Sequence, residues 1–127
     1  MKSIVNAEKA PKAIGPYSHA VKAGGLLYTS GQLGMDPGSG NLVEGGIEYE
    51  TRQALINLGS VLSGAGCGYS DVIKTLVFLK DMSDFTTVNA IYAEFIKNEP
   101  PARSAVQVAA LPKGARIEIE AVAICSE

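Results

Sequence analysis

The sequence has no tryptophan, one histidine and two cysteines, and each scarcity removes a class of chemistry. With His19 as its sole imidazole the chain cannot build a histidine metal cage, and no His stands beside either cysteine in the sequence to mark a Cys-His nucleophile pair. Cys67 and Cys125 lie far apart in the chain, with no CxxC spacing, and read as free thiols. His19, just beyond a loop tyrosine, reads as a surface or capping residue rather than an acid or base. There is no GxSxG elbow, no glycine-rich loop ending in Lys-Ser/Thr, no dinucleotide fingerprint and no calcium-type Asp/Asn/Gly loop, which excludes the chemistry each would carry. A basic field is missing too. The net charge of −2 and pI of 5.4 offer little to a phosphate backbone, so nucleic acid is an unlikely partner. No uniformly apolar run suits a membrane span, and Met1 to Lys9 lacks a secretory pattern, so a soluble, cytoplasmic protein is expected.

What is present is a chain of 127 residues, 46% of them hydrophobic, enough for one domain over 1–127 with a real core. Lys2 to Asn6 reads as an edge strand, and the prolines at 11 and 16 force a loop from which Tyr17 emerges. Ser18 to Ala23 and Leu26 to Leu33 read as strands joined at Gly24-Gly25, a dipeptide suited to the positive φ of a two-residue hairpin. Alternation places Leu26, Tyr28, Ser30 and Gln32 on one face of the second strand. Gly31 within it marks either a bulge or a place where a ligand or another backbone comes close.

From Ile47 the spacing turns helical, with Thr51, Leu55, Leu58, Leu62 and Ala65 on a core stripe and Glu48, Glu50, Arg52 and Asn57 off it. Glycines at 64, 66 and 68 stop this helix. Val72 to Leu79 is apolar on both faces, as in a central strand covered on each side. Ser83 or Asp84 then caps a second helix with a stripe of Phe85, Val88, Tyr92 and Phe95, and Asn89 beside it. Two closing strands follow. The order predicts an α+β fold, a mixed β-sheet with two helices packed on one face. The face left bare is apolar, which predicts a homo-oligomer.

The closing strands carry charge among apolar neighbours. Arg103 follows Pro100-Pro101-Ala102, and Glu118 and Glu120 alternate within Ile117-Glu118-Ile119-Glu120-Ala121. Unpaired charges there cost several kcal/mol, so partners or a ligand are expected. The turn at 111–115 would allow the two strands to lie side by side with Arg103 and Glu118 facing one space. Two readings stand equal at this point: a structural ion pair, or an anion-holding acid/base site. Desolvation favours the neutral acid and a nearby arginine opposes it.

The motifs Ala13-Ile14-Gly15-Pro16-Tyr17-Ser18, Tyr28-Thr29-Ser30-Gly31-Gln32, Val77-Phe78-Leu79-Lys80-Asp81, Val88-Asn89 with Ile91-Tyr92, Pro101-Ala102-Arg103 and Ile117-Glu118-Ile119-Glu120-Ala121 follow one another over almost the whole chain. In this order they resemble the YjgF/RidA family of reactive-intermediate deaminases. The resemblance implies a chorismate-mutase-like protomer, a homotrimer with a central barrel, and sites in clefts between subunits. It implies hydrolysis of enamines and imines (2-aminoacrylate, 2-iminopropanoate, 2-iminobutanoate) to 2-oxo acids and ammonia, with no cofactor and no metal. Carried over by motif, Arg103 would hold the substrate carboxylate and Glu118 would position and activate water. Tyr17, Ser30, Gly31, Phe85 and Asn89 would line the pocket. Ala105 stands where many members carry cysteine, leaving its backbone N–H to bind carboxylate, and His19 stands where glutamine is frequent. Two other functions are compatible with the resemblance: RNA cleavage with translational inhibition, and noncatalytic, chaperone-like binding of small carboxylates.

Overall fold

The computed structural model describes residues 1–126. Seven strands, β1 (Ser3–Val5), β2 (Ala20–Ala23), β3 (Leu26–Thr29), β4 (Gln32–Leu33), β5 (Val72–Leu79), β6 (Ala102–Gln107) and β7 (Ile117–Ile124), form one mixed sheet, and α1 (Ile47–Gly64) and α2 (Phe85–Phe95) cover one of its faces. This is the expected α+β layering. The strand order is β1-β2-β3-β7-β5-β6, with β4 also paired to β7. Gly24 and Gly25 take φ of 60° and 79° in the β2–β3 turn, a conformation that only glycine adopts without steric cost.

One expectation fails in an instructive way. β6 and β7 do not lie side by side, because β5 runs between them, parallel to β6 and antiparallel to β7. The 111–115 turn therefore joins strands separated by a third. The apolar character of β5 explains its place: Val77 and Leu79 are buried under the helices, and Leu76 and Phe78 lie on the other face, half-buried.

The α1 stripe packs as its spacing predicts, with Thr51, Leu55, Leu58, Leu62 and Ala65 all buried. Two residues assigned off the stripe are buried as well: Glu50 is 4% exposed and Asn57 0%. α2 starts at Phe85 with Asp84 at its N-cap, but neither Ser83 nor Asp84 supplies the capping bond. Instead Asp81 Oδ1 accepts from the Ser83 N–H at 2.9 Å, closing a short 3-10 turn ahead of the helix. Cys67 and Cys125 are free, and burial with the neighbouring Cys125 pushes the Cys67 thiol up to about 12, so it carries no thiolate at neutral pH. Among the described residues no helix is long and apolar enough to cross a membrane.

The second face of the sheet is uncovered. Tyr28 and Ile124 are 48% and 56% exposed there, beside Val106, Leu76, Phe78 and Val122.

Candidate active site

β7 alternates cleanly, with Ile117, Ile119, Ala121 and Ala123 buried toward the helices and Glu118, Glu120, Val122 and Ile124 on the uncovered face. Glu118 stands opposite Leu33 of β4 and Phe78 of β5. It borders a cleft of about 300 Å³ whose walls include Tyr17, Ser30, Gly31, Pro11, Ile14 and Met35. Four residues expected in the pocket, Tyr17, Ser30, Gly31 and Glu118, thus come together.

Each is held by local structure. Tyr17 follows a tight turn, its N–H donating to Gly15 O at 2.9 Å and its hydroxyl accepting from the Ile14 N–H at 3.3 Å. Ser30 donates its hydroxyl proton to Ser18 O at 2.6 Å, which leaves oxygen lone pairs as its remaining capacity. At Gly31 the bulge is what the structure shows. Between Tyr28↔Val122 and Gln32↔Ile119 the β3–β4 segment has one residue more than β7, so Ser30-Gly31 is a bulge. A Cβ on Gly31 would also strike the Glu118 carboxylate. The bulge reverses the alternation beyond it, and Gln32 shares the helix side with Ile119 rather than the face of Tyr28. Gly31→Ala is expected to fold, since φ at Gly31 is not in the left-handed region. It should still lose about 10- to 100-fold in kcat, because the carboxylate must move and misplacement near 1 Å is that costly. Steady-state kinetics beside a thermal melt checks this.

Burial, first, and the neighbouring Glu120 charge, second, raise the Glu118 carboxyl above its ordinary value. The ion pairs among the described residues are Arg52–Glu94 and Arg116–Glu50. Arg103 pairs with neither Glu118 nor Glu120.

Arg103 lies elsewhere. It stands opposite Thr75, which is fully buried and hydrogen-bonded to the Tyr92 hydroxyl at 2.8 Å. Arg103 is therefore on the helix side of the sheet, whereas Glu118 is on the uncovered side. Its guanidinium rests over the rings of Tyr92, at 4.9 Å, and Phe85, at 5.4 Å, a platform that stabilises the cation and, among the described residues, leaves its fork of donors unused. Asn89 is one helical turn beyond Phe85, and its Oδ1 is buried without a hydrogen-bond partner. Ala105 is two residues along β6 on the same side as Arg103 and partly buried against the core. The eight expected residues thus divide into two groups, Tyr17, Ser30, Gly31 and Glu118 at the cleft and Phe85, Asn89, Arg103 and Ala105 on the helix side of the sheet.

His19 is neither a surface residue nor a free acid or base. It is 5% exposed, accepts the Ala7 N–H at Nδ1 (2.9 Å) and donates from Nε2 to Pro11 O at 2.8 Å. Both nitrogens are spent on holding the 7–11 loop, whose last residue, Pro11, lines the cleft. The sequence carried no sign of this brace, because the loop's partner is chosen by tertiary contact alone.

The chain matches the family described as endoribonuclease L-PSP over residues 7–125. It is 56% identical to the human 2-iminobutanoate/2-iminopropanoate deaminase over 124 residues, covering 98% of this chain and 90% of that protein. Among solved structures it superposes on a putative endoribonuclease from Thermotoga maritima with a TM-score of 0.95 and 46% identity, covering all of both chains. It also matches E. coli TdcF with bound serine, with a TM-score of 0.91 and 38% identity over 98% of this chain and 99% of that one.

Proposed function

The chain belongs to the YjgF/RidA family, and from that premise we propose that it hydrolyses short 2-imino acids, including 2-iminobutanoate and 2-iminopropanoate, to 2-oxo acids and ammonia. The observation that carries the reading is Glu118: a carboxylate held in a largely apolar cleft, with its proton affinity raised and no cation paired to it. The human relative's name supplies the substrates, and the serine in the TdcF structure is a ligand of the same size carrying the same carboxylate.

The active site is assembled between copies of the chain. Arg103 and Glu118 sit on opposite faces of one sheet, so a substrate touching both meets them from different subunits. The uncovered apolar face supports a homotrimer with the faces turned inward as a barrel. In the joined site the Arg103 fork binds the substrate carboxylate bidentately, the Ala105 N–H adds a donor, and Asn89 Oδ1 gains a partner. Glu118 takes a proton from water as the oxygen bonds to the imine carbon. The nitrogen gains that proton, and a second moves from the new hydroxyl as the C–N bond breaks and ammonia leaves. Enamine substrates enter after tautomerising to the imine.

The decisive assay couples an amino-acid dehydratase to this protein and follows imine decay. Acceleration by the wild type is expected, with Arg103→Lys reduced about 10- to 100-fold in kcat/KM, since a point charge cannot replace a charged bidentate contact worth about 1.5–3 kcal/mol. Unchanged turnover in that variant would sink the assignment. Tight 2-oxo acid binding with no acceleration would indicate a noncatalytic binder, and salt-sensitive RNA cleavage that depends on Arg103 and Glu118 would indicate a nuclease.

A further inference from the structure

Asn57 is the most deeply buried amide in α1, and the core around it is aliphatic. A buried amide is costly unless each polar atom is satisfied, and here both donor bonds are directed at the cleft wall. Asn57 Nδ2 donates to Leu33 O at 2.9 Å and to Met35 O at 2.8 Å, and Oδ1 accepts from Gln53 Nε2 at 2.9 Å. Leu33 is the residue paired with Glu118 across the β4–β7 ladder. Gly34, between the two carbonyls, admits the Glu50 backbone so closely that any Cβ there would collide with it. α1 thus grips the short strand β4 through one amide and one glycine contact.

A second anchor from the same helix holds the other strand. Glu50 Oε1 accepts the Arg116 N–H at 2.9 Å and Oε2 accepts from Arg116 Nη1 at 3.3 Å, two residues before Glu118. Glu118 is therefore delivered between two points fixed by α1, one across the ladder and one along its own strand. β4 has only two residues, too few to hold a register unaided.

We propose that Asn57 is a positioning residue for the hydrolysis, fixing β4 so that Glu118 projects into the cleft at the distance its water requires. The proposal rests on Glu118 acting on water. Asn57 itself does not line the cleft, and the substrate carboxylate is held by Arg103 rather than by β4, so the effect is expected in the chemical step.

The test is a double-mutant cycle in the full chain, with 2-iminobutanoate as substrate. Asn57→Ala is expected to lower kcat about tenfold with KM within about twofold, the signature of a displaced catalytic group. In a Glu118→Gln background the same change is expected to have no further effect on kcat, because the group it positions is gone. If Asn57→Ala does not fold, Gln53→Ala carries the same cycle; it leaves Asn57 in place but frees its amide, and a loss of about threefold is expected, again confined to the Glu118 background. An equal loss in both backgrounds, or a lowered Tm with kcat unchanged, overturns the proposal and makes Asn57 purely structural. Full activity in Glu118→Gln alone overturns the reading of Glu118 on which it rests.

Discussion

Glu118→Gln is expected to lower kcat about 10²- to 10⁴-fold, the range for loss of a positioned acid/base group, with KM little changed because Arg103 still binds the carboxylate. The amide preserves shape and removes only the capacity to take a proton from water. The same residue sets the pH dependence. Its carboxyl is raised by burial and by Glu120, and with Arg103 occupied by the substrate carboxylate the acidic limb of the kcat profile should fall above the ordinary glutamate value of about 4.3, and Glu120→Gln should move it downward. Stability is linked in the opposite sense. With the folded value above the unfolded one, the folded protein binds more protons between the two. The contribution of Glu118 is then present below the unfolded value and lost as pH rises through the folded one. Glu118→Gln should therefore melt higher than the wild type at neutral pH, and the difference should close toward acid. Thermal melts at a series of pH values, beside the kinetics, check both limbs; a variant that is less stable at neutral pH would contradict the cause assigned to the shift.

Two inactive chains should make an active mixture. Arg103→Ala and Glu118→Ala, each refolded alone, should show less than about 1% of wild-type activity, but co-refolded in equal amounts they should recover about a quarter, since one in four interfaces then joins an intact arginine to an intact glutamate. The figure follows from the opposite-face placement of the two residues. Were they to meet within one protomer, mixing would recover nothing. Size-exclusion chromatography of the mixture establishes that the subunits have exchanged.

The sequence and the structure agree best where pattern is repeated. The α1 stripe, the Gly24-Gly25 turn and the alternation of β7 each rest on several residues obeying one period, and local rules decide them. Strand adjacency does not work that way. Nothing between Gln107 and Ile117 indicates that β5 lies between the strands they bound, because the partner of a strand is selected by burial of its faces across the whole sheet. Motifs point to the eight candidate residues, but their division between faces is not legible in the sequence, since it depends on that inserted strand. Asn57 and Glu50 are polar, and a periodicity of apolar residues assigns polar ones to solvent. Their burial is visible only once β4 and Arg116 are in place as partners. His19 was misplaced for the same reason.

The extra residue at Ser30-Gly31 changes which kind of variation this region tolerates. Side chains in a strand have a period of two, so removing either residue would turn Gln32 and Leu33 to opposite sides together and withdraw Leu33 from its place across from Glu118. Substitutions of Ser30 alter one wall of the cleft, whereas a single-codon deletion inverts the wall. Chain length between Tyr28 and Gln32 is thus under tighter constraint than the identity of most residues within it, and natural variation here should be rich in replacements and poor in gaps.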